Sequence, residues 1–385
     1  MRPFLCTYLT AAVSIANIVY AKPQNNNAFT TMTIATPVSS IPASTSGATA
    51  AAAATATACN NSPDLCSRSY SNITHMGAHD SSFLRDDSTN NSIAGTQYYN
   101  ATKALDAGLR LLQAQVHNLN GTVELCHTLC SLLDAGPLET WLAEIKYWMD
   151  NNPNEVVTLL LVNSDNYNAS DFGSVFESSG ISTYGYAPTG TGDWPTLQSM
   201  ISDDTRLVTF IASIDADSAY PYLVPEFDYV FETAYDVTSL SGFNCTLDRP
   251  STQDSATSAI SAGLLPLMNH FAYVALTDSI EVPDSGDVST TNSPSNTTTG
   301  ALGLHAQNCL STWGTQPVFI LVDYWNMGPA IDTADTLNGI TAVGRTNSTV
   351  SDTTSATNNA EQSRGATGLG TSALIAFIAA AVLLA

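Results

Sequence analysis

Six histidines are spread through the chain, and several stand where an apolar run gives way to polar residues. His79-Asp80 follows ITHMGA, His117 follows LRLLQAQV, Asn163 closes VVTLLLVN, Asn269-His270 closes LLPLMN, and Asp323 lies in VFILVDY. An imidazole, with a pKa of about 6.5 in water, takes or gives a proton at working pH. A carboxylate on its far nitrogen fixes the tautomer and stabilises the imidazolium. Imidazoles, carboxylates and amides gathered at strand ends are equipped for proton transfer.

The elements that must gather them are legible as a pattern. Short apolar runs at 73–78, 109–116, 156–163, 206–212, 227–231, 264–269 and 318–324 predict strands, with helical patterns at 94–107, 137–151 and 301–312 between several of them. In the second helix Leu138, Trp141, Leu142, Ile145 and Trp148 recur at helical spacing, and Pro137 suits the first turn. Strands alternating with helices imply a parallel sheet, and near-continuous Val/Leu runs imply burial on both faces. No glycine-rich phosphate loop follows a strand, which favours an α/β fold of the TIM-type (β/α) barrel over an open doubly wound sheet. Barrel enzymes keep their chemistry at the C-terminal strand ends, where the polar set lies. In LRLLQAQVH, Gln113, Gln115 and His117 share one face and Leu112, Ala114 and Val116 the other. Arg110 has the parity of the apolar face, which assigns it to structure. His75 reads as a buried core residue and His305 as a loop or helix residue. Tyr324 and Trp325 suit either stacking on a ring or packing at the rim.

Composition narrows the partners. Eleven Lys and Arg against 34 Asp and Glu give a formal charge of -23, which excludes nucleic acid as a partner and docking through a polybasic surface. Residues 1–21 read as a signal peptide, 22–58 as a low-complexity Ser/Thr/Ala linker, 59–342 as a single barrel domain, and 343–385 as a Ser/Thr-rich stalk with a glycolipid (GPI) anchor signal. Asn358, Asn359, Ser363 and Gly365 are the candidate attachment residues. The segment 284–300 reads as a surface loop. Cys59, Cys66, Cys126, Cys130, Cys245 and Cys309 suit an oxidising compartment, and nearest-neighbour pairing is expected. Sequons at Asn60, Asn72, Asn90, Asn100, Asn120, Asn168, Asn244, Asn296 and Asn347 fit the same setting. A secreted, surface-anchored monomer is expected.

The segment Thr74-His75-Met76-Gly77-Ala78-His79-Asp80-Ser81 resembles the first catalytic motif of the phosphatidylinositol-specific phospholipase C X-domain superfamily. Gly108 to Gln115, Glu124-Leu125-Cys126-His127-Thr128, Asn154 to Leu159 and the strand ending in Asp323-Tyr324 resemble its later motifs, over roughly 70–342. The pattern is most similar to the secreted fungal phospholipase C-like branch. The resemblance implies an irregular barrel and cleavage of a phosphodiester by two histidines: His79 as general base, His127 as general acid, Asp323 orienting the first and Asp80 beside it. The expected substrate is a phospholipid or glycolipid, and the products a cyclic phosphate and a lipid alcohol.

The chain departs from that family in its phosphate-holding device. Bacterial members place an arginine where Gln115 stands, and animal members place calcium ligands at positions resembling Gln113, Gln115 and Val162 or Asn163. Of the cations in 59–342 (Arg68, Arg85, Lys103, Arg110, Lys146, Arg206 and Arg249), none falls in a motif at the barrel mouth. No metal or cofactor is therefore expected, and the phosphate is left to His117, His270, Gln113, Gln115, Asn163 and Asn269. The rival expectation is a barrel that has lost activity and serves as a wall or glycan-binding protein. A glycerophosphodiester-type hydrolase would instead need metal and clustered acidic ligands.

Overall fold

The computed structural model describes residues 57–277 and 280–346. The expected signal peptide, nearly all of the linker, the stalk, the anchor signal and Asn347 lie outside the described residues. The strands are β1 (His75–Ala78), β2 (Leu111–Leu119), β3 (Thr122–Cys126), β4 (Asp134–Pro137), β5 (Val157–Asn163) and β6 (Leu207–Ala212). They continue with β7 (Leu223–Pro225), β8 (Val230–Glu232), β9 (Leu265–Asn269), β10 (Tyr273–Thr277), β11 (Ile280–Pro283) and β12 (Phe319–Val322). Helices α1 (Ala101–Asp106), α2 (Leu138–Asn151), α3 (Ala169–Ser178), α4 (Leu197–Ser202) and α5 (Glu226–Tyr229) precede α6 (Ala256–Ser261), α7 (Val288–Thr291), α8 (Leu302–Trp313) and α9 (Ala330–Asn338).

Eight strands pair side by side in the order β7-β6-β5-β2-β1-β12-β9-β8, every neighbouring pair parallel. Among the described residues β7 and β8 do not pair, so the curled sheet is an irregular barrel with a seam, crossed by α5. Side-chain alternation divides the core in two. Leu111, Leu160, Phe210, Leu267, Phe319 and Leu321 form the inner cluster. Leu112, Ala114, Val116, Leu159, Leu161, Ile320 and Val322 pack outward with Leu142, Ile145 and Phe172 of the helices. Each such buried Val, Leu, Ile or Phe side chain contributes about 1.5–3 kcal/mol of burial free energy. At Gly77 of β1 a Cβ would meet Leu111 Cγ at 2.7 Å, so glycine is what lets β2 seat beside it.

The elements differ from the sequence expectation in definite ways. The 94–107 pattern forms a helix only from Ala101, and 227–231 begins as α5 before turning into β8. The β3–β4 and β10–β11 pairings have no counterpart in the sequence expectation, because strands of four or five residues give too short an apolar pattern to stand out. The 284–300 segment is more than a surface loop: it forms α7 and buries Asn292, whose amide donates to the carbonyls of Asp323 and Tyr324 at 2.9 and 3.0 Å. Disulfides join Cys59–Cys66, Cys126–Cys130 and Cys245–Cys309. Arg110 is buried against Glu155, with its Nη2 also donating to Asn61 Oδ1 at 2.7 Å.

One sequon is corrected. Asn60 is 5% exposed. Its Nδ2 donates to the Val156 carbonyl at 3.2 Å, and its Oδ1 accepts from Val156 N–H at 2.7 Å. A glycan on that nitrogen would have no room, whereas Asn72, Asn90, Asn100, Asn120, Asn168, Asn244 and Asn296 are exposed. Asn60→Asp keeps the acceptor but loses the donor, and should cost about 1–3 kcal/mol of stability in denaturant unfolding. Glycopeptide mapping of the wild type should find Asn60 bare.

Candidate active site

The end of β1 delivers His79, and the next residue, Asp80, turns the chain in the left-handed region at φ 45°. Two amides make that turn possible: Gln113 Oε1 accepts from Asp80 N–H at 2.7 Å, and Gln97 Nε2 donates to the His79 carbonyl at 2.7 Å. His79 Nδ1–H donates to Asp323 Oδ1 at 2.7 Å, and its ring stacks on Phe271 with centroids 3.6 Å apart. The other imidazole comes from the loop after β3. His127 sits inside the Cys126–Cys130 disulfide loop and stacks on Phe83, while Thr128 N–H donates to Gln115 Oε1 at 2.6 Å.

Both rings converge on one carboxylate oxygen. His79 Nε2 lies 3.6 Å and His127 Nε2 3.4 Å from Asp80 Oδ2. His127 Nδ1 faces the Ala94 carbonyl at 2.7 Å, so that nitrogen carries a hydrogen. Its Nε2 is then the ring nitrogen turned toward Asp80 and the cavity. Burial works against a charge on His79, but Asp80 and Asp323 outweigh it and hold its pKa above the usual value. Asp323 is pushed up by burial against the pull of His79.

These groups line a cavity of about 290 Å³ together with Gln113, Gln115, Thr128, Val162 and, on the far side, Glu232, Tyr235, Arg249, Asn269 and Tyr273. A larger hollow of about 480 Å³ beside Asn168 and Asp215 contains no imidazole or cation. Arg249 is the cation missing from the motif reading. It comes from a segment that caps the free edge of β8: Glu232 N–H donates to the Arg249 carbonyl and Asp248 N–H to the Glu232 carbonyl, each at 2.8 Å. Its guanidinium pairs with Glu232 and lies over Tyr235, 4.4 Å from the ring centre. No sequence motif marked this segment, since its role depends on an edge that exists only in the folded sheet.

Of the expected substrate-binding residues, Gln113, Gln115 and Asn269 line the cavity. The oxygens of both glutamines already hold backbone N–H groups, and no protein acceptor is found for either Nε2 among the described residues. Neutral amides with one oxygen lone pair already committed are weaker calcium ligands than the carboxylates such a site draws on. Asn269 Nδ2 donates to Glu232 Oε2 and the Thr233 carbonyl. His117, Asn163 and His270 are corrected: none lines the cavity. Asn163 and His270 follow the outward parity of β5 and β9. Asn163 closes its own loop through Tyr167 and Ser213, and His270 is buried against His305 and the Thr291 carbonyl. His117 has the inward parity but lies where β2 pairs with β3, beyond the rim, and faces Asp165. Tyr324 and Trp325 are buried packing residues. Away from the cavity, Cys245, His305 and Cys309 form the one close group of metal-capable side chains among the described residues, and its two sulfurs are joined as a disulfide.

A family model described as PI-PLC X 1 matches residues 65–338. A PI-PLC X domain-containing protein 1 of Arthroderma benhamiae is 35% identical over 287 residues, covering 73% of this chain and 90% of the relative. An uncharacterized secreted protein of the same organism is 34% identical, covering 74% of this chain and 65% of that relative. Among solved structures, the phosphatidylinositol-specific phospholipase C of Listeria monocytogenes aligns with a TM-score of 0.48 and 15% identity, over 71% of this chain and 95% of that one.

The carboxylates around His79 set a measurable property. In an imidazole NMR titration, His79 should titrate above about 6.5, the value of a free side chain. Asp323→Asn removes one negative charge and should move that midpoint downward; an unmoved midpoint would show that Asp323 does not bias the ring.

Proposed function

The chain belongs to the PI-PLC X family, whose character is phosphodiesterase-like, and on that premise we propose that it is a secreted, metal-independent enzyme cleaving a phospholipid or glycolipid phosphodiester by two-histidine acid–base catalysis. The observation that carries this reading is the approach of both Nε2 atoms to one oxygen of Asp80, at 3.6 and 3.4 Å. A phosphate beside that carboxylate would have a proton acceptor on one side and a donor on the other. His79 Nε2, as the neutral ring, takes the proton of a neighbouring hydroxyl as its oxygen bonds to phosphorus. The bond from phosphorus to the lipid oxygen breaks, and His127 Nε2–H protonates that oxygen. A cyclic phosphate and a lipid alcohol result.

The phosphate's charge is met by Arg249 and by the free Nε2–H groups of Gln113 and Gln115. Metal independence is supported by Glu232 being taken up by Arg249 and by one oxygen each of Asp80 and Asp323 facing the imidazoles, while Asp80 Oδ1 and Asp323 Oδ2 have no partner among the described residues. A lipid substrate is supported by the exposed apolar side chains Leu129, Tyr235, Val274 and Leu276. They stand in the segments that also bring Thr128, Tyr235 and Tyr273 to the cavity. Three disulfides and a relative named as secreted support the extracellular setting. Anchoring by a C-terminal glycolipid remains part of the proposal.

The rival, a silent barrel acting as a wall or glycan-binding protein, draws on Glu232, which offsets the charge of Arg249. Hydrolysis of phosphatidylinositol with chelator present separates the two. His79→Ala and His127→Ala should each lower turnover by about 10³-fold, and equal rates in wild type and both variants would reject catalysis. Arg249→Ala should cost about 10²-fold in kcat/KM. Leu276→Asp should slow hydrolysis of vesicles by about tenfold while sparing a soluble short-chain substrate.

A further inference from the structure

Behind the far wall of the cavity lies a second carboxyl group. Glu226 opens α5 at the seam of the barrel and is 1% exposed. It does not line the cavity, but α5 packs on β8 and its carboxyl lies beside that of Glu232, which does. Glu232, 2% exposed, gathers the donors. Its Oε2 accepts from Arg249 Nε at 3.1 Å, from Arg249 Nη2, and from Asn269 Nδ2 at 3.3 Å.

Two carboxylates cannot share one guanidinium away from water; one keeps its proton. The donors crowd onto Glu232, whereas Glu226 Oε1 has no donor among the described residues. A carboxylate so buried would be costly to leave bare, while a carboxylic acid whose O–H donates to Glu232 satisfies both partners. We infer that Glu226 is a protonated positioning residue, which braces Glu232 and thereby turns Arg249 toward the phosphate-binding cavity.

Burial pushes the Glu226 carboxyl well above the usual range, the charge of Glu232 and the hydrogen bond to it push further, and Arg249 pulls back. Among the elements packed on α5, the Leu207–Ala212 and Leu223–Pro225 strands bring no ionisable side chain, so Glu232 and Arg249 are the charged groups that face Glu226. Guanidinium Nη1 is left without a protein acceptor among the described residues. Ionising Glu226 would set a second negative charge against Glu232 and draw that guanidinium away from a bound anion.

The inference rests on the cavity being a phosphate site, so its test avoids turnover. Inorganic phosphate is titrated into wild type, Glu226→Gln and Glu226→Leu across neutral and alkaline pH, and infrared spectra are recorded for the carbonyl stretch of a protonated carboxylic acid. Wild type should show that band at neutral pH and Glu226→Gln should lose it. Glu226→Gln, which still donates to Glu232, should bind phosphate within about twofold of wild type at neutral pH. It should also lack the part of the alkaline weakening that wild type shows beyond the imidazoles. Glu226→Leu, if folded, should bind about tenfold more weakly. Superimposable pH profiles for wild type and Glu226→Gln, or no band lost in Glu226→Gln, would overturn the inference. Failure of wild type to bind phosphate would overturn the cavity reading and the positioning of Arg249 with it, while the infrared band would still report the proton on Glu226.

Discussion

One carboxylate oxygen organises the site. Asp80 Oδ2 is approached by imidazoles from β1 and from the loop after β3, residues 48 positions apart in sequence (79 and 127). Everything near it serves that convergence. Asp80 occupies a left-handed backbone conformation that a non-glycine residue adopts at a cost, and Gln113, Gln97 and Thr96 hold it there through its backbone and that of His79. Asp323 and Phe271 fix one ring; Ala94, Phe83 and a disulfide loop fix the other. Gln113 and Gln115 of β2 are therefore anchors first: their amide oxygens tie the two loops that carry His79 and His127 to the same strand.

Much of this was legible in sequence because strand periodicity is a physical rule. The period of two placed Gln113 and Gln115 on the inner face, and the apolar runs located the parallel strands that position His79, Asn269 and Asp323. The same rule, applied to β5 and β9, sends Asn163 and His270 outward, and there being at a strand end outweighed parity in the sequence reading. His117 obeys parity yet misses the cavity, because β2 runs past the barrel into an antiparallel pairing that sequence spacing did not reveal. The far wall was invisible for another reason. Glu232, Tyr235, Arg249 and Tyr273 belong to short or irregular segments whose meeting depends on tertiary packing, and neither composition nor period encodes that.

Scarcity of positive charge runs through the structure. In a chain with 11 cations and 34 acidic residues, arginines are spent on fixed duties. Arg110 ties Glu155 to the N-terminal segment through Asn61, Arg206 caps carbonyls at the C-terminal end of α2, and Arg345 pairs with Asp335. Arg249 differs in reaching a cavity that also holds two imidazoles. Its partnership with Glu232 lowers the net charge there but fixes direction, since Nε and Nη2 are bound on one side and Nη1 is left for the other. Orientation at the expense of net charge suits an anion held together with neutral amide donors.

The gap between β7 and β8 also has an outcome for the lineage of such barrels. A ring of strands hydrogen bonded all the way round has no vacant ladder, and nothing could dock along β8. Here the vacancy is filled by residues 248 and 249, which carry the guanidinium inward as they bind. An insertion that completed the ring would evict that stretch of chain and take from the pocket its one guanidinium, leaving Glu232 without its cation.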